Sequence, residues 1–579
     1  MGRSSKAKMN RKRVLALSIV AFLTTSLTSA CAGKSEDGSK SSSQTGTSAE
    51  SNNSTKDKEP FGKYNDELDI HFARATDDTI DTYALANLPG ETIENNFWLD
   101  TYRDELGINV LYDWVVKGDD EYLQKVNVTI ASGDIPDVMA VNATQMVQLA
   151  DAGLIQDLSG VYDTYATDFT KEVMNQEGDS PFLAAQIDGG LYGIPVTAGS
   201  VDSVDLMWIR DDWREKLELD VPKTTDQLLE LINKFAEEDP DGNGKDDTYG
   251  IGVAGSPNVF GGGYGGLRGF FNAYGAYPSI WIEKEGKLAY GAIQNECKTA
   301  LKELNSLYED GKIDPEFGVM DSGKAGESAA AGNCGVTFGQ QWLSLVQFQT
   351  NYNNDPEAVW SAYPIPSATD QPSSVQADLG TNRWLVVRKD FENPEAVIKM
   401  TNLFIEKCWG ETGDNAKYYA PPDAEGVWKL SPVQVSMPYK NIQAYLDIQK
   451  AMENKTTDQL TGEAKSIWDK LDRYYSGSED GKSVWGWERI YGPAPSSYAS
   501  IHEMQENDRI LLNKFVGAPT ETMTEKMSTL EKMRDETFNK IIIGESDISE
   551  FDKFVSDFKK LGGETITKEI NDWYKTVKE

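Results

Sequence analysis

The chain is poor in the side chains that most often build catalytic or metal centres. It has two histidines, His71 and His502, and four cysteines, Cys31, Cys297, Cys334 and Cys408, in 579 residues. Two imidazoles leave few ways to build a histidine zinc site or a Ser-His-Asp triad. No C-x-x-C spacing occurs, so neither a thiolate zinc site nor a disulfide framework is expected, and the last three cysteines read as small buried hydrophobes. Positive charge is also scarce: 56 Lys and Arg stand against 93 Asp and Glu, a formal charge of −37. Such a surface repels phosphate backbones and excludes nucleic acid as a general partner. The longest apolar run, Val14 to Leu27, is shorter than the ~20 residues needed to cross a bilayer.

That run follows Arg3, Lys6, Lys8, Arg11, Lys12 and Arg13 and precedes the small residues Thr28-Ser29-Ala30. A basic segment, a short apolar segment and small residues before a cut make a secretory leader. Leu27-Thr28-Ser29-Ala30-Cys31 resembles a bacterial lipobox, with Thr28 where that pattern carries Leu. The resemblance implies that Cys31 is acylated and becomes the mature N-terminus, where two chains would anchor it stably. The alternative is an ordinary leader with an incidental cysteine. Residues 32–60 are rich in Gly, Ser, Thr and Asn and carry almost no apolar side chain, the composition of a flexible tether.

About 520 residues remain, too many for one hydrophobic core, so at least two domains are expected. Leu68 to Ala73 alternates as a strand. Glu94 to Leu106 carries an apolar stripe (Phe97, Trp98, Tyr102, Leu106) closed by Gly107 and predicts a helix. Ile108 to Val115 reads as a strand, Tyr122 to Ala131 as a helix and Ile135 to Val141 as a buried strand. This β-α-β-α-β order predicts a parallel sheet covered by helices, with ligand loops at Arg74-Ala75-Thr76 and Asn142-Ala143-Thr144. Further on, Thr224 and Gln227 form a capping box, Cys297 to Glu309 is an amphipathic helix, and Phe551, Phe554, Val555, Phe558 and Leu561 form a helical stripe before Gly562-Gly563.

The ordered run of lobobox-like Cys31, Ser-rich tether, Pro136-Asp137-Val138, Gly190-Leu191-Tyr192-Gly193-Ile194-Pro195, Trp208-Ile209-Arg210-Asp211-Asp212-Trp213 and Val221-Pro222-Lys223-Thr224 resembles the extracellular solute-binding lipoproteins of carbohydrate ABC importers. More narrowly, it is similar to the Gram-positive relatives of maltose- and alginate-binding proteins. The resemblance implies a two-lobed α/β fold of the periplasmic-binding-protein type (type II), with lobes joined by hinge crossovers and a helix-rich C-terminal part. Its expected divisions are residues 1–30 as leader, 31–60 as lipidated cysteine and tether, 61–198 and 380–430 as the first lobe, and 199–379 and 431–579 as the second. Crossovers are expected near Pro195 to Val204, Leu379 to Asn382 and Ala420 to Val433. It further implies an oligosaccharide ligand, permease subunits as partners, a monomer, and a site on the outer face of the cell membrane.

Asp239-Pro240-Asp241-Gly242-Asn243-Gly244-Lys245-Asp246-Asp247 places oxygen side chains at alternate positions around a turn glycine. That is an EF-hand-like pattern, with Asp239, Asp241, Asn243, the Lys245 carbonyl and Asp247 as ligands of a structural Ca²⁺. Gly250 stands where a bidentate Glu is expected, and an ordinary Asp/Asn/Gly turn is the alternative. The candidate sugar-binding residues are Arg74, Asn142, Asp202, Trp208, Tyr274, Trp342, Trp384 and Trp485, with Trp487 beside them. Charged and amide groups would bond hydroxyl pairs, and aromatic faces would stack on sugar rings. Core packing is the competing reading for each ring. No catalytic residue is expected: among 93 acidic residues some close carboxylate pair is inevitable and is no evidence, and no stretch isolates one acid at a strand end as a hydrolase signature; a surface glycoside hydrolase is the alternative function.

Overall fold

The computed structural model describes residues 59–421 and 426–578. The leader, the proposed lipidation site Cys31 and the tether up to residue 58 lie outside them. The described residues form one compact unit. Within it, the buried apolar side chains separate into two cores. The first draws on Ile70 to Ile194 and then on Trp384 to Val435. The second draws on Val201 to Ala377 and then on Ile442 to Ile570. Each core is therefore built from two separated stretches of chain.

The first core surrounds a five-stranded sheet in the order Ile108–Lys117, Leu68–Thr76, Val138–Val141, Trp384–Val387, Ile194–Pro195. The first three strands are parallel, as the β-α-β-α-β pattern requires. Trp384–Val387 then runs antiparallel between Val138–Val141 and Ile194–Pro195. The sheet is thus mixed, and the departure arises because the fourth strand arrives from the other lobe and enters from the opposite end. The connecting helices start where capping chemistry allows. Asn96 caps Phe97–Leu106, which ends on the left-handed Gly107, and Asn142 with Gln145 makes a full capping box for Ala143–Asp151.

The second core surrounds a four-stranded sheet, Trp360–Tyr363, Leu206–Arg210, Cys334–Gly339, Tyr249–Gly252. Leu206–Arg210 is antiparallel to both neighbours, while Cys334–Gly339 and Tyr249–Gly252 are parallel. Thr224 and Gln227 form the capping box of Thr225–Glu237, whose Leu228, Leu231, Ile232 and Phe235 are buried. Phe551, Phe554 and Phe558 likewise face inward. The stripe does not extend to Leu561, which is 55% exposed, because the helix widens into a turn at Lys559–Gly563 with Gly562 at φ 142°. Cys297, Cys334 and Cys408 are buried and unpaired. Burial raises the Cys334 thiol to about 11, so it packs as a neutral side chain.

Candidate functional site

Three segments pass between the two cores and are bonded to one another. The first follows Pro195, the second joins Ala377 to Trp384, and the third runs through Ser436 to Lys440. Val427, Leu430 and Val433 are still buried in the first core, so the third crossing lies beyond the Ala420 to Val433 stretch. Val196 N donates to Arg383 O at 2.9 Å. Ser436 N donates to Thr197 O at 2.9 Å, and Thr197 Oγ1 returns a bond to Ser436 O at 2.6 Å. Ser200 Oγ accepts from Gly380 N at 2.8 Å and donates to Glu177 at 2.7 Å. Asp378 N donates to Ser203 Oγ at 3.0 Å, and Arg268 bridges Asp205 at 2.9 Å and Asp378 at 2.6 Å. The crossings pack so closely that a Cβ at Gly380 would lie 2.1 Å from Ala198 O.

A cavity of ≈710 Å³ opens beside the third crossing, and its walls come from both cores. Trp409, Gly410, Asp414, Asn415 and Ala420 form the first wall; the helix Gly462–Tyr475 supplies Glu463, Lys465, Ser466, Asp469, Lys470 and Arg473 to the second. An aromatic ring, an amide and several charged side chains suit a ligand with apolar faces and hydroxyl edges. Behind the second wall lies a buried polar chain. Lys440 Nζ sits 3.0 Å from Glu463 Oε1 and 2.6 Å from Asn441 Oδ1. Asn441 Nδ2 donates to Asp202 Oδ2 at 2.8 Å, and Tyr498 donates to Asp202 Oδ1 at 2.7 Å. Burial opposes the Lys440 charge, but the Glu463 carboxylate overrides it and holds the ammonium well above its ordinary range. Burial raises the Asp202 carboxyl, against the pull of the Tyr498 hydroxyl and Lys440. Glu177 is raised for the same reason, in spite of its two bonds from Ser200.

None of the eight residues singled out from the sequence lines this cavity. Trp208, at 0% exposure, packs on Phe348 at 5.1 Å in the second core. Trp485 stacks on Tyr352 at 4.8 Å and 6°. Trp384 is buried in the first core and donates Nε1 to Pro181 O at 3.0 Å. Tyr274 is half-buried against Phe270. Arg74 is buried at the end of its strand and donates to Lys429 O, and burial lowers its pKa. Asn142 is spent on its helix cap. Trp342 is half-buried, with Nε1 donating to Gln340 Oε1 at 2.9 Å. Asp202 joins the cavity only through the Asn441–Lys440 chain. Trp487 lies under the Lys470 ammonium at 4.0 Å, beside the cavity wall.

The wall residues give no sequence signal of a cavity: Lys465, Asp469 and Arg473 recur every four positions, the pattern of a solvated helix face. Trp409 closes a helix whose other apolar positions are core, so its ring carries no separate sequence signal.

The Asp239 to Asp247 loop follows the helix Thr225–Glu237 and leads into Tyr249–Gly252. Asn243 Nδ2 donates to Asp241 Oδ2 at 2.6 Å and to Asp247 Oδ1 at 2.9 Å. Gly244 N donates to Asp239 Oδ2 at 3.0 Å, while Asp239 Oδ1 is buried without a partner. Gly244, the turn glycine of the pattern, is left-handed at φ 77°, as is Gly242 at φ 73°. Among the described residues no three His, Cys, Asp or Glu side chains are gathered closely enough to hold a metal ion. The orphaned oxygen and the all-oxygen donor set nevertheless fit a hard cation in chemistry.

The sequence profile of the bacterial extracellular solute-binding proteins matches residues 90–406. The chain belongs to this family. It is 25% identical over 519 residues to Lipoprotein LipO of Bacillus subtilis, covering 87% of this chain and 94% of that protein. It is 24% identical to the polygalacturonan/rhamnogalacturonan-binding protein YtcQ of the same species, over 78% of this chain and 83% of that one. Among solved structures, an HMO-binding, ABC-transporter-associated solute-binding protein of Bifidobacterium longum infantis superposes with a TM-score of 0.61 at 17% identity, covering 88% of this chain and 98% of that one. The alginate-binding protein AlgQ2, solved without calcium ion, superposes with a TM-score of 0.59 at 16% identity, over 88% and 99%. These likenesses establish for this extracellular solute-binding protein the two-lobed α/β fold. No helix among the described residues is long and apolar enough to cross a membrane.

Proposed function

We propose that this solute-binding protein captures an oligosaccharide between its lobes and delivers it, unmodified, to the permease of an ABC importer. The observation that carries the reading is the cavity walled by both cores beside three bonded crossings. A ligand touching both walls favours the closed arrangement, and a hinge is the element that shifts. Trp409 offers the ring face, and Asn415, Asp414 and the Gly462–Tyr475 helix offer hydroxyl partners. The polygalacturonan/rhamnogalacturonan binding of YtcQ points to the same ligand class.

Acylation at Cys31 would hold a monomeric body on the outer face of a Gram-positive membrane, a reading the lipoprotein relative supports. A structural Ca²⁺ would be held by Asp239, Asp241, Asn243, the Lys245 carbonyl and Asp247. When bound, the ion supplies charge neutralisation to a loop whose carboxylates otherwise have amide and backbone donors and the Lys245 ammonium, 3.8 Å from Asp247 Oδ2.

The test is a thermal-shift screen of residues 59–579 against plant and microbial oligosaccharides, followed by calorimetry and recovery of the sugar. A sugar that stabilises the protein and is recovered intact supports capture. Recovery of cleaved fragments replaces it with the hydrolase reading.

A further inference from the structure

The cavity wall contains one carboxylate whose hydrogen bonding is half complete. Glu463 stands at the start of the helix Gly462–Tyr475. Its Oε1 is 3.0 Å from Lys440 Nζ, whereas its Oε2 is buried and has no hydrogen-bond partner. A buried acceptor without a donor is costly and uncommon in folded proteins. The same side chain lines the cavity, so a turn of its carboxyl about the Lys440 contact would bring Oε2 to the donor of a bound molecule.

The chemistry of that donor is constrained. Lys440 already neutralises the Glu463 charge, so a second cation gains little there, and a neutral hydroxyl is the better match. Lys440 also reaches further. It lies over the ring of Tyr419, a first-core residue, at 5.1 Å. It bonds Asn441, which bonds Asp202 on the first crossing. The next residue, Ser203, bonds the second crossing through Asp378 N. A continuous polar chain therefore runs from the cavity wall to two of the segments about which the lobes turn.

Resting on the oligosaccharide-capture reading, we propose that Glu463 is a specificity and coupling residue of that site. Its Oε2 accepts a hydrogen bond from a sugar hydroxyl, and the Lys440–Asn441–Asp202 chain ties that contact to the hinge. Glu463 thus acts as a ligand-binding residue, while Asn441 is a positioning residue that touches no ligand.

The experiment titrates 1-kestose, maltotriose and digalacturonate into wild type, Glu463→Gln, Glu463→Ala and Asn441→Ala. Small-angle scattering with and without the sugar that wild type binds reads closure, and melting curves confirm folding. The neutral amide of Glu463→Gln is a weaker acceptor and is expected to bind roughly tenfold less tightly; Glu463→Ala, which loses a charge-assisted bond, roughly 100-fold. Asn441→Ala is expected to bind several-fold less tightly and to show a smaller compaction on adding sugar, although it lies outside the cavity. Unchanged affinity in both Glu463 variants overturns the hydroxyl contact. Wild-type affinity and compaction in Asn441→Ala overturn the coupling. The titrated set includes every sugar that stabilises wild type in the thermal-shift screen; if wild type binds none of them, the capture reading on which the proposal rests is refuted with it.

Discussion

Two tryptophans, Trp208 and Trp409, should respond to truncation in opposite ways. Trp208 is completely buried in the central strand Leu206–Arg210, against Phe348, which is itself stacked on Trp360 at 4.1 Å. Trp208→Ala leaves a cavity the strand cannot collapse, and the cost is ~3–5 kcal/mol. Spread over a lobe of this size, that lowers Tm by roughly 6–20 °C. Its indole Nε1 is buried without a partner, so Trp208→Phe removes an unsatisfied donor and should cost much less. Trp409 is half-buried at the cavity mouth, with its ring 5.3 Å from Tyr419. Trp409→Ala should lower Tm less and weaken sugar binding by ~1–2 kcal/mol, roughly 5- to 30-fold in Kd. Differential scanning calorimetry and isothermal titration on the same preparations separate the two effects. A Trp208→Ala protein that melts like wild type but loses its sugar would refute the assignment of Trp208 to the core and of the cavity to the ligand.

EDTA should lower Tm, and Asp241→Asn should shrink that drop; at a free Ca²⁺ of 100 Kd the ion contributes ~2.7 kcal/mol, and a Tm indifferent to both chelator and Ca²⁺ would remove the ion from the loop. Burial raises the carboxyls of Glu177, Asp202 and Glu531. A carboxyl raised on folding binds its proton more tightly in the folded chain, so stability rises as pH falls through that raised value, is fully present below the unfolded value, and is lost as pH climbs back through the raised one. Tm should therefore increase from pH 7.5 toward pH ~5, helped by relief of the −37 self-repulsion, and Asp202→Asn should flatten the slope. An identical slope in that variant would contradict the role of Asp202. Gly380→Ala places a methyl 2.1 Å from Ala198 O, so the crossings must part; a loss of ~1–3 kcal/mol and a changed scattering profile are expected, and an unaltered profile would show that the crossings are loosely packed.

Local structure was legible wherever a periodic pattern met its own start or stop signal. The stripe ended by Gly107, the capping box at Thr224 and the run Phe551 to Phe558 each became the helix their spacing implies. The antiparallel insertion of Trp384–Val387 was not legible, because a strand's direction in the sheet depends on where the chain returns from. The two-lobed architecture followed from resemblance, which periodicity alone does not supply. The site was much less legible. A tryptophan carries the same residue code whether it fills a core, as Trp208 and Trp485 do, or borders a cleft, as Trp409 does. Asn142 was singled out for its place at a strand end, and its side chain is occupied in capping. Glu463 gave no signal, since its significance comes from Lys440 and the unfilled lone pair of Oε2, which exist only once the helices Lys440–Asn454 and Gly462–Tyr475 have packed together.

The insertion of Trp384–Val387 between Val138–Val141 and Ile194–Pro195 also fixes an order of events during synthesis. The first sheet has a vacant slot until nearly two hundred further residues have been made, and its core stays incomplete until Val427 to Val435 arrive. The second core waits in the same way for Ile442 to Ile570. Interleaved in this manner, neither core can close on the N-terminal stretch alone. The topology that threads three crossings between the cores also makes the completion of each depend on residues from the C-terminal half of the chain.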